Sequence, residues 1–155
     1  MMDRLQGYEN VDHVLAVLAD MHRCIHQLIG ELGGKASDDR RKMALGYLAE
    51  QHAKRSAVIT SYRQDAEPTL LRQWLQTPFP QQPDDLVRSL TSICQGEPSI
   101  EYLMSEIDNF TDRLLHHLSD RAETANAQAL LQNLRDIEDR ERHLRSRDLS
   151  SFSQI

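Results

Sequence analysis

Val11, Val14, Leu18, Met21, Ile25, Leu28 and Leu32 recur at strictly alternating steps of three and four residues. On a helix of 3.6 residues per turn that spacing places them on one line. A narrow apolar seam of this kind is the mark of a helix in an antiparallel bundle, and it limits the chain more than any other feature. Leu15, His22 and Ile29 flank the seam at seven-residue spacing. They widen it enough to touch two neighbouring helices and set His22 at the core margin. Asn10 supplies an N-cap and Gly33-Gly34 a stop, so the pattern predicts a first helix over residues 10–32.

The remaining apolar spacings continue the helical theme. Ser37 as N-cap, with Asp38 and Asp39 in the first turn, opens a second helix that Pro68 follows, predicted over 37–65. One face of it carries Leu45, Leu48, His52, Arg55, Ile59 and Tyr62. Imidazole and guanidinium groups sit on a buried stripe only when something pairs with them, so the core is expected to hold a polar layer. Residues 67–98 have a different texture: Thr69 to Gln76 fits two helical turns, Pro78 to Pro83 is extended, and Asp84 to Cys94 is another short helix. This reads as a crossover, tacked down by Trp74, Leu75 and Phe79. A third helix, 99–118, carries Ile100, Leu103, Ile107, Phe110 and Leu114 with His117 next in register, and Pro98 fits its first turn. A fourth, 124–148, carries Ala127, Leu130, Leu134, Ile137, Glu141 and Leu144. Its outer face offers Asp136–Arg140, Glu138–Arg142 and Glu141–Arg145 as i,i+4 pairs. Ser150 to Ile155 is expected to fray.

Composition agrees with an all-α reading, since aromatics make up 5% and Gly and Pro are few. At 155 residues the chain reads as one domain spanning 1–155, able to bury a core without disulfides. A net charge of −6 with no basic stripe argues against nucleic-acid and anionic-membrane partners. Residues 1–10 lack an apolar h-region, and nowhere is there a run of about 18 apolar residues that a span requires. A cytoplasmic protein is the expectation, with Cys24 and Cys94 as buried free thiols.

Two helical hairpins separated by a long crossover resemble the ferritin-like superfamily. Tyr47-Leu48-Ala49-Glu50-Gln51-His52-Ala53, followed by Ile59 and Tyr62, looks like the second helix of small bacterial rubrerythrin-like proteins of unknown function. Cys94-Gln95-Gly96-Glu97, Tyr102, and Leu130 to Leu144 add to the likeness. The resemblance implies an antiparallel four-helix bundle and, in metal-binding members, a di-iron or di-manganese centre. Such centres draw on Glu-x-x-His pairs, and the sequence contains none. Glu50 is followed three residues on by Ala53 and Glu138 by Glu141. Arg55 would bring a fixed positive charge into the layer where cations would sit.

The polar core layer is therefore expected to consist of His22, His52, Arg55, Glu138 and Glu141. Arg55 pairs with Glu141 or, failing that, Glu138, and His52 is hydrogen-bonded nearby. His22 and His26 stand at i,i+4, but His26 falls off the stripe and reads as exposed; His116 and His117 point in different directions. The leading functional expectation is a non-catalytic ferritin-like bundle with no cofactor, a cytoplasmic accessory or stress-related protein acting through association. A homodimer is expected because Leu15, Val17, Cys24 and Ile29 broaden the first helix's apolar stripe. The alternative is a metal-binding, oxidoreductase or storage protein with an altered Fe or Mn centre built from His22, His52, Glu138 and Glu141. A third reading is an apolar-ligand carrier with a pocket lined by the crossover.

Overall fold

A computed structural model describes residues 2–77 and 79–152, without the side chains of 151 and 152. In chain order these form β1 (Tyr8–Asn10), α1 (Val11–Lys35), α2 (Asp39–Asp65), α3 (Pro68–Leu71), β2 (Trp74–Gln76), α4 (Pro83–Ile93), α5 (Ile100–Arg121) and α6 (Ala125–Phe152). The architecture is all-α apart from one small ribbon. The four long helices fall where the apolar spacing puts them.

The turn between α1 and α2 departs from expectation. Gly33 and Gly34 do not stop the helix; α1 runs on to Lys35, and no described glycine has a positive φ. Instead the chain leaves the helix at Ala36, and the Asp38 side chain, not that of Ser37, caps α2 by accepting from the Arg40 amide at 3.1 Å. Gly33 serves packing: a Cβ built on it would lie 3.3 Å from the Leu45 Cβ across the hairpin, so the two helices approach closely here. Gly30, by contrast, has nothing within 4 Å of such a Cβ. Gly30→Ala should stabilise by about 0.5–1 kcal/mol by removing a flexible residue from a helix interior. Gly33→Val should cost about 1–3 kcal/mol by forcing α1 and α2 apart. Urea unfolding midpoints of the two variants read the opposite signs directly.

Along α1, Val11, Val14, Leu18, Met21, Ile25 and Leu32 are buried and Leu28 is half-buried. Leu15, Val17 and Ile29 are buried as well. α1 packs against both α2 and the crossover helix α4, whose Leu86 and Leu90 are in the core. The breadth of α1's stripe is thus taken up inside one chain, and the ground given for a dimer lapses. Cys24 and Cys94 are free thiols but only half-buried; burial raises the Cys94 thiol above its ordinary pKa.

The crossover also differs in detail. Thr69 to Gln76 does not form two turns: α3 is a single turn, and β2 then pairs antiparallel with β1, Tyr8 opposite Gln76, Glu9 opposite Leu75 and Asn10 opposite Trp74. The period-two alternation of a strand turns Leu75 into the core and Trp74 outward. Trp74 is 64% exposed and anchors nothing, whereas Leu75 is buried and Phe79 packs edge-on to Phe110 at 6.2 Å between ring centres. The N-terminal segment is lashed to the crossover by Thr77 N to Gly7 O (2.9 Å) and by the Gln82 side chain, which accepts from the Leu5 amide (2.8 Å) and donates to its carbonyl (3.1 Å). Pro83 opens α4 within a Gln82–Asp85 capping box. Of the stretch expected to be extended, Pro78 lies outside the described residues.

Ser99 caps α5 by accepting from the Tyr102 amide at 3.1 Å, which leaves Pro98 just outside the helix. Leu103, Ile107, Phe110 and Leu114 are buried as the seam predicts, and His117 is half-buried, edge-on to Phe79. α6 keeps Ser150 helical; the last three residues of the expected frayed tail, 153–155, lie outside the described residues. Its buried line runs through Ala127, Leu131, Leu134, Glu138 and Arg145, with Leu130 also inside. Ile137 and Glu141 are half-buried and Leu144 is 41% exposed. The expected seam is off by one residue over the second half of the helix.

Candidate functional site

The one-residue shift decides which carboxylate enters the interior. Glu138, on the buried line, meets Arg55 of α2: Arg55 Nη1 donates to Glu138 Oε1, and both residues are over nine-tenths buried. The expected first partner, Glu141, sits at the edge and accepts from Gln51 Nε2 at 3.1 Å. Gln51 also donates to Tyr47 Oη (3.0 Å), which in turn donates to Asp148 Oδ2 (2.8 Å). Burial, then the hydrogen bond to Asp148, pushes the Tyr47 phenol up to about 12.

Beside the ion pair the two core imidazoles meet. His22 Nδ1 and His52 Nδ1 are 3.0 Å apart with the rings stacked at 5.2 Å and 18°. One nitrogen of that contact must donate and the other accept, so the two rings hold opposite tautomers. His22 Nε2 lies 3.8 Å from Glu138 Oε1. A proton there faces the carboxylate, which makes His22 Nδ1 the acceptor and His52 Nδ1 the donor. Burial is the main reason both rings resist a second proton: His22 falls well below the ordinary imidazole value and His52 to about 3, with the Arg55 charge adding to each. The Glu138 carboxyl moves the other way, raised by burial against the opposing pull of Arg55.

The layer is bounded by a second set of ions on α5 and α6. Arg145 Nη2 donates to Asp108 Oδ2, and Arg142 Nη2 donates to the Asp108 carbonyl at 3.2 Å with Asp112 Oδ1 at 3.7 Å. None of the three i,i+4 pairs expected along α6 forms among the described residues: Arg142 and the inward-pointing Arg145, 7% exposed, turn to α5, and Asp136 accepts from Gln132 Nε2 at 2.9 Å. His26 is not exposed as expected; half-buried, its Nδ1 donates to the Ala49 carbonyl at 2.8 Å, tying α1 to α2. Farther along the hairpin Arg63 spans both oxygens of Asp12 (2.7 and 3.2 Å) and holds that carboxyl below its ordinary value.

Of the five residues expected in the layer, His22, His52, Arg55 and Glu138 converge and Glu141 stands outside. Gln51, Asp108 and Arg145 were not foreseen. Arg145 would have followed from the three-and-four line through Leu131, Leu134 and Glu138; Asp108 carries no signal beyond lying next to Ile107. The donor set fits a di-metal centre badly. Such a site needs several carboxylates free to bridge two cations, but among the described residues the one carboxylate beside the imidazoles, Glu138 next to His22, is engaged by a guanidinium. Among the described residues no three His, Cys, Asp or Glu side chains are placed to hold a metal ion.

Fold and layer together define a class: a mostly helical protein whose interior is crossed by a buried polar layer built on an arginine–glutamate pair. No family model, curated protein or solved structure matches this particular chain.

Proposed function

We propose that the chain is a non-catalytic, ferritin-like four-helix bundle, a cytoplasmic accessory protein that acts through protein association, with an ion pair where metal-binding relatives of such bundles keep cations. The observation that carries this reading is Arg55 seated against Glu138 in the interior. A fixed guanidinium there repels cations and consumes the carboxylate they would need. The association half draws support from the outer face of the β1–β2 ribbon, where Tyr8 is 61% and Trp74 64% exposed. Exposed Trp and Tyr on a hydrogen-bonded ribbon are the residue types that dominate binding energy at interfaces. Self-association through this face is the simplest form.

Two measurements on untagged protein test the reading. After anaerobic incubation with Fe(II) or Mn(II) and desalting, elemental analysis is expected to find no stoichiometric metal; one or two ions per chain would overturn the non-metal half. Sedimentation equilibrium at micromolar concentration is expected to show a dimer that Trp74→Ser dissociates. Only a 17.9 kDa species in the wild type would overturn self-association.

A further inference from the structure

Where α2 and α5 begin and α6 ends, the molecule opens into a cleft of about 760 Å³. Four arginines line it, Arg40 and Arg41 from the first turn of α2 and Arg142 and Arg145 from α6, against two acids, Asp38 and Glu101. In a chain of net charge −6 this is a local reversal of sign. Arg142 and Arg145 are partly neutralised by Asp108. No carboxylate lies within ion-pair distance of Arg40 or Arg41 among the described residues. A guanidinium with no counter-charge pairs most strongly with an oxyanion, through charge-assisted hydrogen bonds. The N-termini of α2 and α5, helices of 27 and 22 residues, add partial positive charge at the same place.

Besides Ser99, Ser146 and Ser150, the rest of the lining is apolar: Ala44, Ile100, Met104 and Leu149. The volume far exceeds that of an inorganic oxyanion, and the four apolar side chains offer such an ion nothing. The geometry points to a binding site for an amphipathic oxyanion, a soluble molecule with a phosphate-monoester or carboxylate head on Arg40 and Arg41 and an apolar body of several carbons against Ile100, Met104 and Leu149. The cleft adjoins the interior layer, sharing Arg142 and Arg145 with its boundary, but the anion contacts fall on Arg40 and Arg41, so the site does not depend on how that layer or the association surface is read. It is also not the crossover-lined pocket expected for a purely apolar ligand, since α2, α5 and α6 form it.

Isothermal titration calorimetry of the full chain with hexyl phosphate, hexanoate, inorganic phosphate and hexanol tests the proposal. Hexyl phosphate or hexanoate should bind saturably, at least about tenfold more tightly than inorganic phosphate because the alkyl body is buried, with hexanol silent. Arg41→Gln should weaken that binding by about tenfold or more through loss of a charge-assisted contact, with its thermal midpoint unchanged. Should Arg41→Gln fail to fold, Arg40→Gln and Met104→Gln carry the test: the first should weaken both phosphates, the second hexyl phosphate alone. Absence of saturable binding by either alkyl anion up to about 5 mM, an affinity too weak to matter, would overturn the site. So would equal binding of hexanol, or unchanged affinity in the arginine variants. Capture by phosphatidate-bearing vesicles without binding of hexyl phosphate in solution would put the head group on a membrane, and that too would overturn it.

Discussion

Glu138→Ala is expected to destabilise the protein by about 3–5 kcal/mol, the cost of leaving a buried guanidinium without its counter-charge. Arg55 and Glu138 are only 6% and 8% exposed, so neither water nor salt can stand in for the missing partner. The two single deletions should not be equivalent. A carboxyl deprived of Arg55 can take up a proton, and burial already raises its pKa; a guanidinium deprived of Glu138 cannot shed one. Arg55→Met should therefore cost less than Glu138→Ala at neutral pH, and less again at pH 5. The double variant Arg55→Met/Glu138→Leu should recover much of the loss, because desolvating two charges offsets most of what their attraction returns. Urea unfolding of wild type, both single variants and the double variant at pH 7 gives the cycle. Small additive effects, under about 1 kcal/mol each, would mean the pair behaves as an exposed one and contributes little.

The chain was legible wherever apolar residues are dense enough to fix a period. α1 and α5 bury the seams their sequences announce except at the half-buried Leu28 and Ile100, and the α2 face from Leu45 to Ile59 is inside residue for residue. α6 departs from its expected seam because apolar residues are sparse where its register is decided. Leu130 and Leu131 are both buried, so two registers fit its start, and beyond Leu134 only Ile137 and Leu144 mark a line through a charged stretch. Those two apolar residues mark the wrong one. Burial of Glu138 and Arg145 follows from partners on other helices, Arg55 and Asp108, which no local pattern encodes. The same holds for Trp74, whose outward position is set by pairing with residues more than sixty positions earlier. Gly33-Gly34 misled in another way, since a glycine signals a helix end only where a positive φ is needed, and here Gly33 instead lets Leu45 come close. The arginine cleft draws on residues 40–41 and 142–145, about a hundred positions apart. Nothing in either segment alone reads as a site.

Acid should unfold this protein through its two core imidazoles. In the unfolded chain His22 and His52 titrate near their ordinary value of 6.5, while in the fold both are held neutral, His52 down to about 3. Between those values the unfolded state binds more protons, so stability is full above about pH 6.5 and is lost as pH falls through the window toward 3. Each imidazole contributes a slope of about 1.4 kcal/mol per pH unit there. Over that range His52 alone amounts to roughly 5 kcal/mol, comparable to the net stability of an ordinary domain. Glu138 works in the opposite direction: its folded pKa is raised, so the fold gains from its proton as pH drops. One carboxyl cannot offset two imidazoles shifted the other way, and protonating either ring also sets it against Arg55, with Arg145 and His26 near His52. Urea unfolding at pH 7, 5.5, 4.5 and 4 should therefore show a steep fall. His22→Phe/His52→Leu, which removes both titrating groups while keeping the layer filled, should flatten it. A wild-type stability that holds constant from pH 7 to 4, or a double variant that falls as steeply, would show that the rings exchange protons with solvent in the folded state and that the layer is not closed.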